Sequence, residues 1–215
     1  MKCFSVAIDG YVATGKGTLA SLIAKKYNLL YLDTGSIYRA VTYAYIHFKD
    51  NDIDHILSTI DLNITNEDKV YLNGMDITSE IRKQDINENI IMISRNQKVR
   101  AFATRYAQNV AKGKSIVMDG RDIGSVVLPN ADIKFLITAS VEVRTKRRYS
   151  QNLQKGLKIS EEQVRNDIIL RDEHAKNDVI KVFEDTIIID NTDLSLEESF
   201  NLMCSYIDRK LGYNG

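Results

Sequence analysis

Over the first sixty residues, short apolar runs alternate with apolar positions at helical spacing. Phe4 to Ile8 reads as a buried strand, and Leu19, Leu22, Ile23 and Tyr27 then mark a helix. Leu29 to Leu32 is a second short strand, followed by Ile37, Val41, Ala44 and Tyr45 at helical spacing. Strand, helix, strand, helix predicts a parallel sheet with crossover helices. Residues 60–82 break that rhythm. There Leu62, Ile64, Val70, Leu72 and Ile77 alternate with polar neighbours around Asn73-Gly74, which suits a type I′ turn and predicts a small inserted hairpin. Residues 85–112 return to a helical pattern. Ser115 to Met118 and Ile133 to Thr138 read as buried strands. Residues 140–175 are charged and mostly helical, with a break at Lys155-Gly156. Thr186 to Ile189 is the last strand, and 195–211 a closing amphipathic helix. The economical reading is one α/β core with an inserted subdomain near 60–95.

Composition narrows the class. The chain has 215 residues and a mass of 24.4 kDa, the size of one domain with an insertion. Its 29 Lys+Arg balance 29 Asp+Glu, which excludes a generally basic nucleic-acid coat and a polyanionic tail. One proline and no tryptophan exclude a proline-rich or collagen-like chain and disfavour a strand-and-turn sandwich. Cys3 and Cys204 belong to no CxxC or Cys/His cluster, so neither a zinc site nor a disulfide scaffold is expected and a reducing compartment fits. The opening MKCFSVAIDG has too short an apolar stretch for a signal peptide, and no apolar run approaches the about 18 residues of a membrane span. A soluble cytoplasmic protein is expected, without a nucleic-acid or membrane partner.

The strongest chemical signal follows the first strand: Gly10-Tyr11-Val12-Ala13-Thr14-Gly15-Lys16-Gly17-Thr18. This is P-loop spacing, with Gly-Thr in place of an immediate Ser or Thr after the lysine. Glycines let backbone N–H groups turn inward around phosphate oxygens, and the next helix points its positive end at the same anion. Lys16 supplies charge to the β- and γ-phosphates, and the Thr18 hydroxyl can reach Mg²⁺. The loop interior, Tyr11, Val12 and Ala13, is bulkier than usual, but backbone amides do the binding. A P-loop alone does not separate GTPases, ATPases and kinases. No guanine-reading Asn-Lys-x-Asp follows, which weakens the GTPase reading.

Four further segments are distinctive. Leu32-Asp33-Thr34-Gly35-Ser36-Ile37-Tyr38-Arg39-Ala40 follows the second strand. Leu72-Asn73-Gly74-Met75-Asp76-Ile77-Thr78-Ser79-Glu80-Ile81-Arg82 lies in the insert. Asp119-Gly120-Arg121-Asp122-Ile123-Gly124-Ser125 follows the third core strand. Thr138-Ala139-Ser140-Val141-Glu142-Val143-Arg144 runs into Lys146-Arg147-Arg148. With the GKGT loop, these resemble the bacterial cytidylate kinase family, in order from residue 4 to about 210. The resemblance implies a P-loop parallel five-stranded sheet with helices on both faces. It implies a core at 1–60, 96–145 and 176–215, a CMP-binding insert at about 60–95 and a lid at about 146–175. The implied reaction is phosphorylation of CMP or dCMP by ATP with Mg²⁺, carried out by a monomer.

Phosphoryl transfer needs positioning and cations around the moving group, which fits arginines and a lysine as candidates in place of a His/Ser pair. His47, His55 and His174 read as solvent-facing or packing residues. By resemblance, Arg39 and Arg121 hold the CMP phosphate, for which guanidinium forks suit better than lysine. Asp33 is either a helix N-cap or an organiser of the site. Tyr38 packs under the substrate or belongs to the core. Asp122 and Arg100 would read cytosine: a carboxylate accepts from the exocyclic amine, an arginine donates to ring acceptors, and uracil lacks that amine. The family places an ATP-contacting arginine at Arg147 and a lid arginine at Arg171; closure of the lid would exclude water.

The chain departs from the family at several positions. Ile91 stands where the family has a serine, nine residues before Arg100. The family's lid ends Arg-Asp-x-x-Asp-x-x-Arg. Here Arg171 and Asp172 match, but Ala175 and Asp178 replace the second aspartate and last arginine, and Ala-Pro-Leu does not follow. By resemblance the aspartate contacts ribose and the arginine the phosphates; Glu173 and Lys176 are the nearby substitutes. Losing one transition-state cation costs on the order of 10³-fold in rate or more. Two further readings therefore stand beside the first: a nucleotide-binding protein with weakened catalysis, and another small P-loop nucleoside monophosphate kinase.

Overall fold

The computed structural model describes residues 3–49, 51–65, 67–154 and 156–212, apart from the side chains of residues 174 and 176–178. β1 (Ser5–Gly10) leads through the phosphate loop to α1 (Lys16–Tyr27), β2 (Leu30–Asp33) and α2 (Thr34–His47). The next stretch holds α3 (Ile53–Thr59), β3 (Leu62–Ile64), β4 (Val70–Leu72), β5 (Met75–Asp76), a 3-10 turn at Glu80–Arg82, α4 (Gln84–Arg95) and α5 (Gln97–Ala111). β6 (Ile116–Gly120) is followed by a π-helical turn at Ile123–Val127 and β7 (Ile133–Thr138). Then come α6 (Val141–Gln154), α7 (Glu161–Asp178), β8 (Thr186–Asp190) and α8 (Leu196–Leu211).

Among the described residues the main sheet has five strands in the order β2-β6-β1-β7-β8, and every pairing is parallel. Alternation along β1 explains why helices cover both faces. Val6 and Ile8 pack with Leu19 and Ile23 of α1 and Met203 and Ile207 of α8. Ala7, one residue out of phase, packs on the other side with Ile37 of α2 and Ala103 of α5. Each large aliphatic side chain so buried contributes about 1.5–3 kcal/mol. Because the strands are parallel, Gly10, Asp33, Gly120 and Thr138 end at one edge of the sheet, where ligand clefts of such folds form.

Three local features differ from the sequence pattern. Residues 85–112 form two helices. The Asn96 side chain accepts from the backbone N–H of Lys98 at 2.9 Å and of Val99 at 3.4 Å, and this cap starts α5 afresh. The insert is a three-stranded antiparallel sheet, β3-β4-β5, not a single hairpin. Asn73 (φ 50°) and Gly74 (φ 77°) both take the left-handed conformation of a type I′ turn, but they join β4 to β5. The short α3 precedes the insert. Leu62, Val70, Leu72 and Ile77 bury against the same cluster as Leu32 and Ile37, so the insert shares the core. α6 ends at Gln154, and Gly156 has φ 72°. Lys155, in the expected break, lies outside the described residues. α7 begins at a reciprocal cap between Ser160 and Gln163.

Candidate active site

A cleft of about 650 Å³ opens at the carboxyl ends of β1, β2 and β6. Val12, Ala13, Gly15, Lys16, Gly17 and Thr18 form one wall. Ala13 (φ 61°) and Gly15 (φ 84°) are left-handed, the alternation that aims successive amides at an anion. For alanine that conformation costs about 1–2 kcal/mol, so the loop holds local strain at the anion cradle. Gly10, Tyr11 and Thr14 do not line the cleft; they shape the loop from behind. A Cβ at Gly10 would lie 2.6 Å from the Ile137 carbonyl of β7. The Thr14 hydroxyl donates to the Tyr11 carbonyl at 3.0 Å.

The loop's carbonyls are held from outside. Arg144 donates to the Val12 carbonyl at 3.3 Å and to the Ala139 carbonyl at 2.8 Å. Asn191, after β8, donates to the Thr14 carbonyl at 2.8 Å. With carbonyls drawn outward, the amides are free to face the cleft.

Cations ring the remaining walls. Lys16 Nζ lies 3.5 Å from the Tyr11 carbonyl; burial lowers its pKa and Asp119 opposes that. Arg39, Arg121 and Arg171 line the cleft as expected from sequence, and so do Arg82 and Arg148. Burial, with Arg82 adding repulsion, brings Arg39 down to about 10. Burial lowers Arg121 and Arg148 too, and Arg171 repels both. Arg39 donates to Asn87 Oδ1 at 2.7 Å, and Arg171 to the Asn87 carbonyl at 3.1 Å, so α2, α4 and α7 meet at Asn87.

Arg147 sits elsewhere. Its guanidinium donates to Asn191 Oδ1 at 3.0 Å, to the Asn191 carbonyl at 2.9 Å and to the Leu194 carbonyl at 3.4 Å. Neighbouring helical residues point about 100° apart. Arg148, the next residue, therefore faces the cleft when Arg147 faces the β8–α8 junction.

At the other end of the cleft, Tyr38, Ile91, Ser94, Arg100 and Asp122 come together. Arg100 pairs with the Asp122 carboxylate and also reaches the Ser94 carbonyl at 3.5 Å. Burial pushes Asp122 up, and Arg100 pulls against it. Burial, then Asp122, moves Tyr38 up to about 12. Asp33 does both things its position allows. It caps α2 by accepting from the Gly35 amide at 2.9 Å, and it accepts from Ser36 Oγ at 2.9 Å and Arg82 Nη2 at 3.0 Å. Burial works against the Asp33 carboxylate, but Arg82 and Ser36 outweigh it and hold its pKa below the usual value.

Acids that sequence reasoning missed also face the cleft. Burial, reinforced by Asp33, raises Asp119 at the end of β6 to about 7, although the Tyr31 hydroxyl donates to it at 2.7 Å. Asp68, in the insert, is raised by burial and by Asp33. Arg82, Arg148 and Asp119 all stood within recognisable motifs; only their direction was missing. Near the end of α7, Ala175 is buried and Glu173 lines a separate cavity of about 260 Å³ beside Tyr11 and Arg144, so Glu173 does not fill the main cleft. The side chains of His174, Lys176 and Asp178 lie outside the described residues.

Comparison with known proteins identifies the family. The family model described as cytidylate kinase matches residues 6–209. A cytidylate kinase of Halalkalibacterium halodurans is 39% identical over 222 residues, covering 98% of this chain and 100% of that protein. One of Ligilactobacillus salivarius is 38% identical over 221 residues, covering 98% and 99%. Among solved structures, an uncharacterized protein of Eubacterium ventriosum superposes with a TM-score of 0.54 at 15% identity, covering 97% of this chain and 99% of that one, a likeness of fold alone.

Proposed function

The chain belongs to the cytidylate kinase family, and from that premise we propose that it transfers the γ-phosphoryl group of ATP to the phosphate of CMP or dCMP. The products are ADP and CDP or dCDP. One observation carries this reading: a single cleft joins an amide-lined phosphate loop to an arginine–aspartate pair suited to cytosine, with arginines between them.

The roles follow from chemistry. Backbone amides of the loop and Lys16 hold the ATP phosphates. Arg39 and Arg121 grip the CMP phosphate, which replaces the neutral Asn87 oxygen as a partner of Arg39. Asp122 accepts from the cytosine amine and Arg100 donates to the ring acceptors, so uracil leaves Asp122 facing another acceptor. Tyr38 supplies a flat wall. Arg148 and Arg171 come from the lid helices and surround the transferring group, and Arg148 takes the role that the family resemblance gave to Arg147. Asp33 orients Arg82 and Ser36 and thereby the insert.

Kinases of this kind use ATP with a divalent metal, and the donor set suits magnesium. The Thr18 hydroxyl and the Asp119 carboxylate, raised to about 7 by burial and by Asp33 against the pull of Lys16, are hard oxygen donors beside the phosphate loop. Mg²⁺ is bound by one or two such groups plus substrate phosphates. When bound, it neutralises charge on the β- and γ-phosphates. The reading includes a cytoplasmic monomer acting on free nucleotides. The balanced net charge and the free Cys3 and Cys204 support it.

A panel of CMP, dCMP, UMP, AMP and GMP with ATP, read by coupled ADP release, tests the proposal. CMP or dCMP should turn over fastest, and Lys16→Ala should abolish turnover. Nucleotide binding by calorimetry without transfer to any acceptor would refute the catalytic reading and leave a nucleotide-binding protein.

A further inference from the structure

Asp9 is the penultimate residue of β1, 7% exposed, immediately before the phosphate loop. It does not line the cleft. Its carboxylate instead accepts two backbone hydrogen bonds across the sheet edge: Oδ1 from the Ile123 amide at 2.7 Å, and Oδ2 from the Gly124 amide at 2.9 Å. Those amides open the π-helical turn Ile123–Val127. Orphan amides at the start of a helical turn are ordinarily capped by the residue at its N-cap, and aspartate is among the best at it. Here the N-cap residue is Asp122, and its side chain makes no cap bond. It faces the cleft and pairs with Arg100.

We propose that Asp9 is a positioning residue for base selection: by capping the turn in place of Asp122, it frees the Asp122 carboxylate to face the base. This rests on the reading of Asp122 as the cytosine-recognising group. The turn is tightly gripped. Gly124 lies between the Lys134 stem and Asp9; a Cβ there would come 3.2 Å from Lys134 Cδ and 3.4 Å from Asp9 Oδ2. Without the Asp9 carboxylate, the vacated amides compete with the base for Asp122. The phosphate loop, held from behind by Arg144 and Asn191, does not depend on that contact.

Initial rates with ATP, CMP and UMP at pH 7.5, on the parent and on Asp9→Asn, Gly124→Ala and Asp122→Ala, test this. Asp9→Asn keeps the shape but turns one acceptor into a donor facing an amide. It should raise KM for CMP about tenfold and cut the CMP:UMP ratio of kcat/KM about tenfold, the scale of one charge-assisted hydrogen bond, with KM for ATP within about twofold. Gly124→Ala, which presses the turn off an intact Asp9, should shift the same quantities in the same direction by less and serves if Asp9→Asn does not fold. A merely structural Asp9 would raise both KM values together or leave the ratio unchanged; either result, with Asp122→Ala still lowering the ratio, overturns the inference. If Asp122→Ala leaves the ratio untouched, the base-reading role of Asp122 falls first and the inference falls with it.

Discussion

Removing one carboxylate from α7 should destabilise the whole molecule. Arg144 is 3% exposed, and its guanidinium makes paired bonds to Asp172 of α7: Nη1 to Oδ1 at 3.0 Å and Nη2 to Oδ2 at 2.6 Å. Its other acceptors are neutral carbonyls of Ala139 and Val12. Asp172→Ala therefore strands a buried cation, a change that costs about 3–5 kcal/mol. The Asp172 side chain is 19% exposed, so water can enter the gap and the lower figure applies. For a chain of this size each kcal/mol moves the melting temperature by about 2–4 °C, which gives a fall of about 6–12 °C for 3 kcal/mol. The control is Arg165→Gln, which breaks the 3.8 Å pair with Glu142 between half-exposed partners. Solvent screens that pair, and its loss should move the midpoint by no more than about 2 °C. Thermal unfolding followed by circular dichroism, without nucleotide, compares the two. Arg144→Met/Asp172→Leu, which removes both charges, should recover most of the loss. The reasoning is wrong if Asp172→Ala melts within about 2 °C of the parent, or if the double variant is less stable than Asp172→Ala.

Arg147 and Arg148 offer a direct comparison. Arg148→Ala should lower kcat on the order of 10³-fold, the scale of a transition-state arginine, while Arg147→Ala should change kcat less than about tenfold and mainly lower stability through Asn191; steady-state rates in the reverse order would refute the assignment. Stability should also fall as pH rises from about 4 to 7. Asp9 (about 6) and Asp119 (about 7) both titrate above the 3.8 of an unfolded aspartate. In that window the native state binds more protons than the unfolded one, so deprotonation favours unfolding. Asp33, with its lowered pKa, acts only in the acid range. Urea unfolding of Asp119→Asn should match the parent near pH 4 and exceed it at pH 8; equal gains at both would refute the burial argument.

Much of the fold was legible because its determinants are local. Continuous apolar runs such as Ser115 to Met118 have no competing helical period, and Asn73-Gly74 needs only its own backbone preferences. The phosphate loop was legible for the same reason. The division of 85–112 was not, since the apolar period runs through Asn96 and only the capping bonds reveal a restart. The order of Arg147 and Arg148 was not either. Both sit in one basic run, and the phase of α6 against the sheet decides which enters the cleft. Asp33–Arg82 and Tyr31–Asp119 join residues 49 and 88 positions apart, beyond any local pattern.

The layout of the cleft also explains why so many charges tolerate one another. Arg39, Arg121 and Arg148 are each pushed down by burial and by neighbouring arginines, while Asp68 and Asp119 are pushed up by burial and by Asp33. Proximity has not cancelled the two sets, because fixed elements hold them apart. Asp119 ends β6 and Asp68 lies in the insert, whereas Arg39, Arg121 and Arg148 reach in from α2, the turn after β6 and α6; Arg82 of the insert, by contrast, closes on Asp33. Arg39 and one arm of Arg171 donate to oxygens of Asn87, which are neutral, while Arg171 Nε pairs with Asp167 at 2.8 Å. A charged oxygen makes a hydrogen bond roughly twice as strong as a neutral one, so on the proposed reading a phosphate entering between the two arginines would displace Asn87 from its contacts with α2 and α7. Binding would then trade the contact of α4 with α7 through Asn87 for contacts through the phosphate itself. The local positive excess that a balanced total of charge conceals would thus couple nucleotide binding to the placement of the insert against α7.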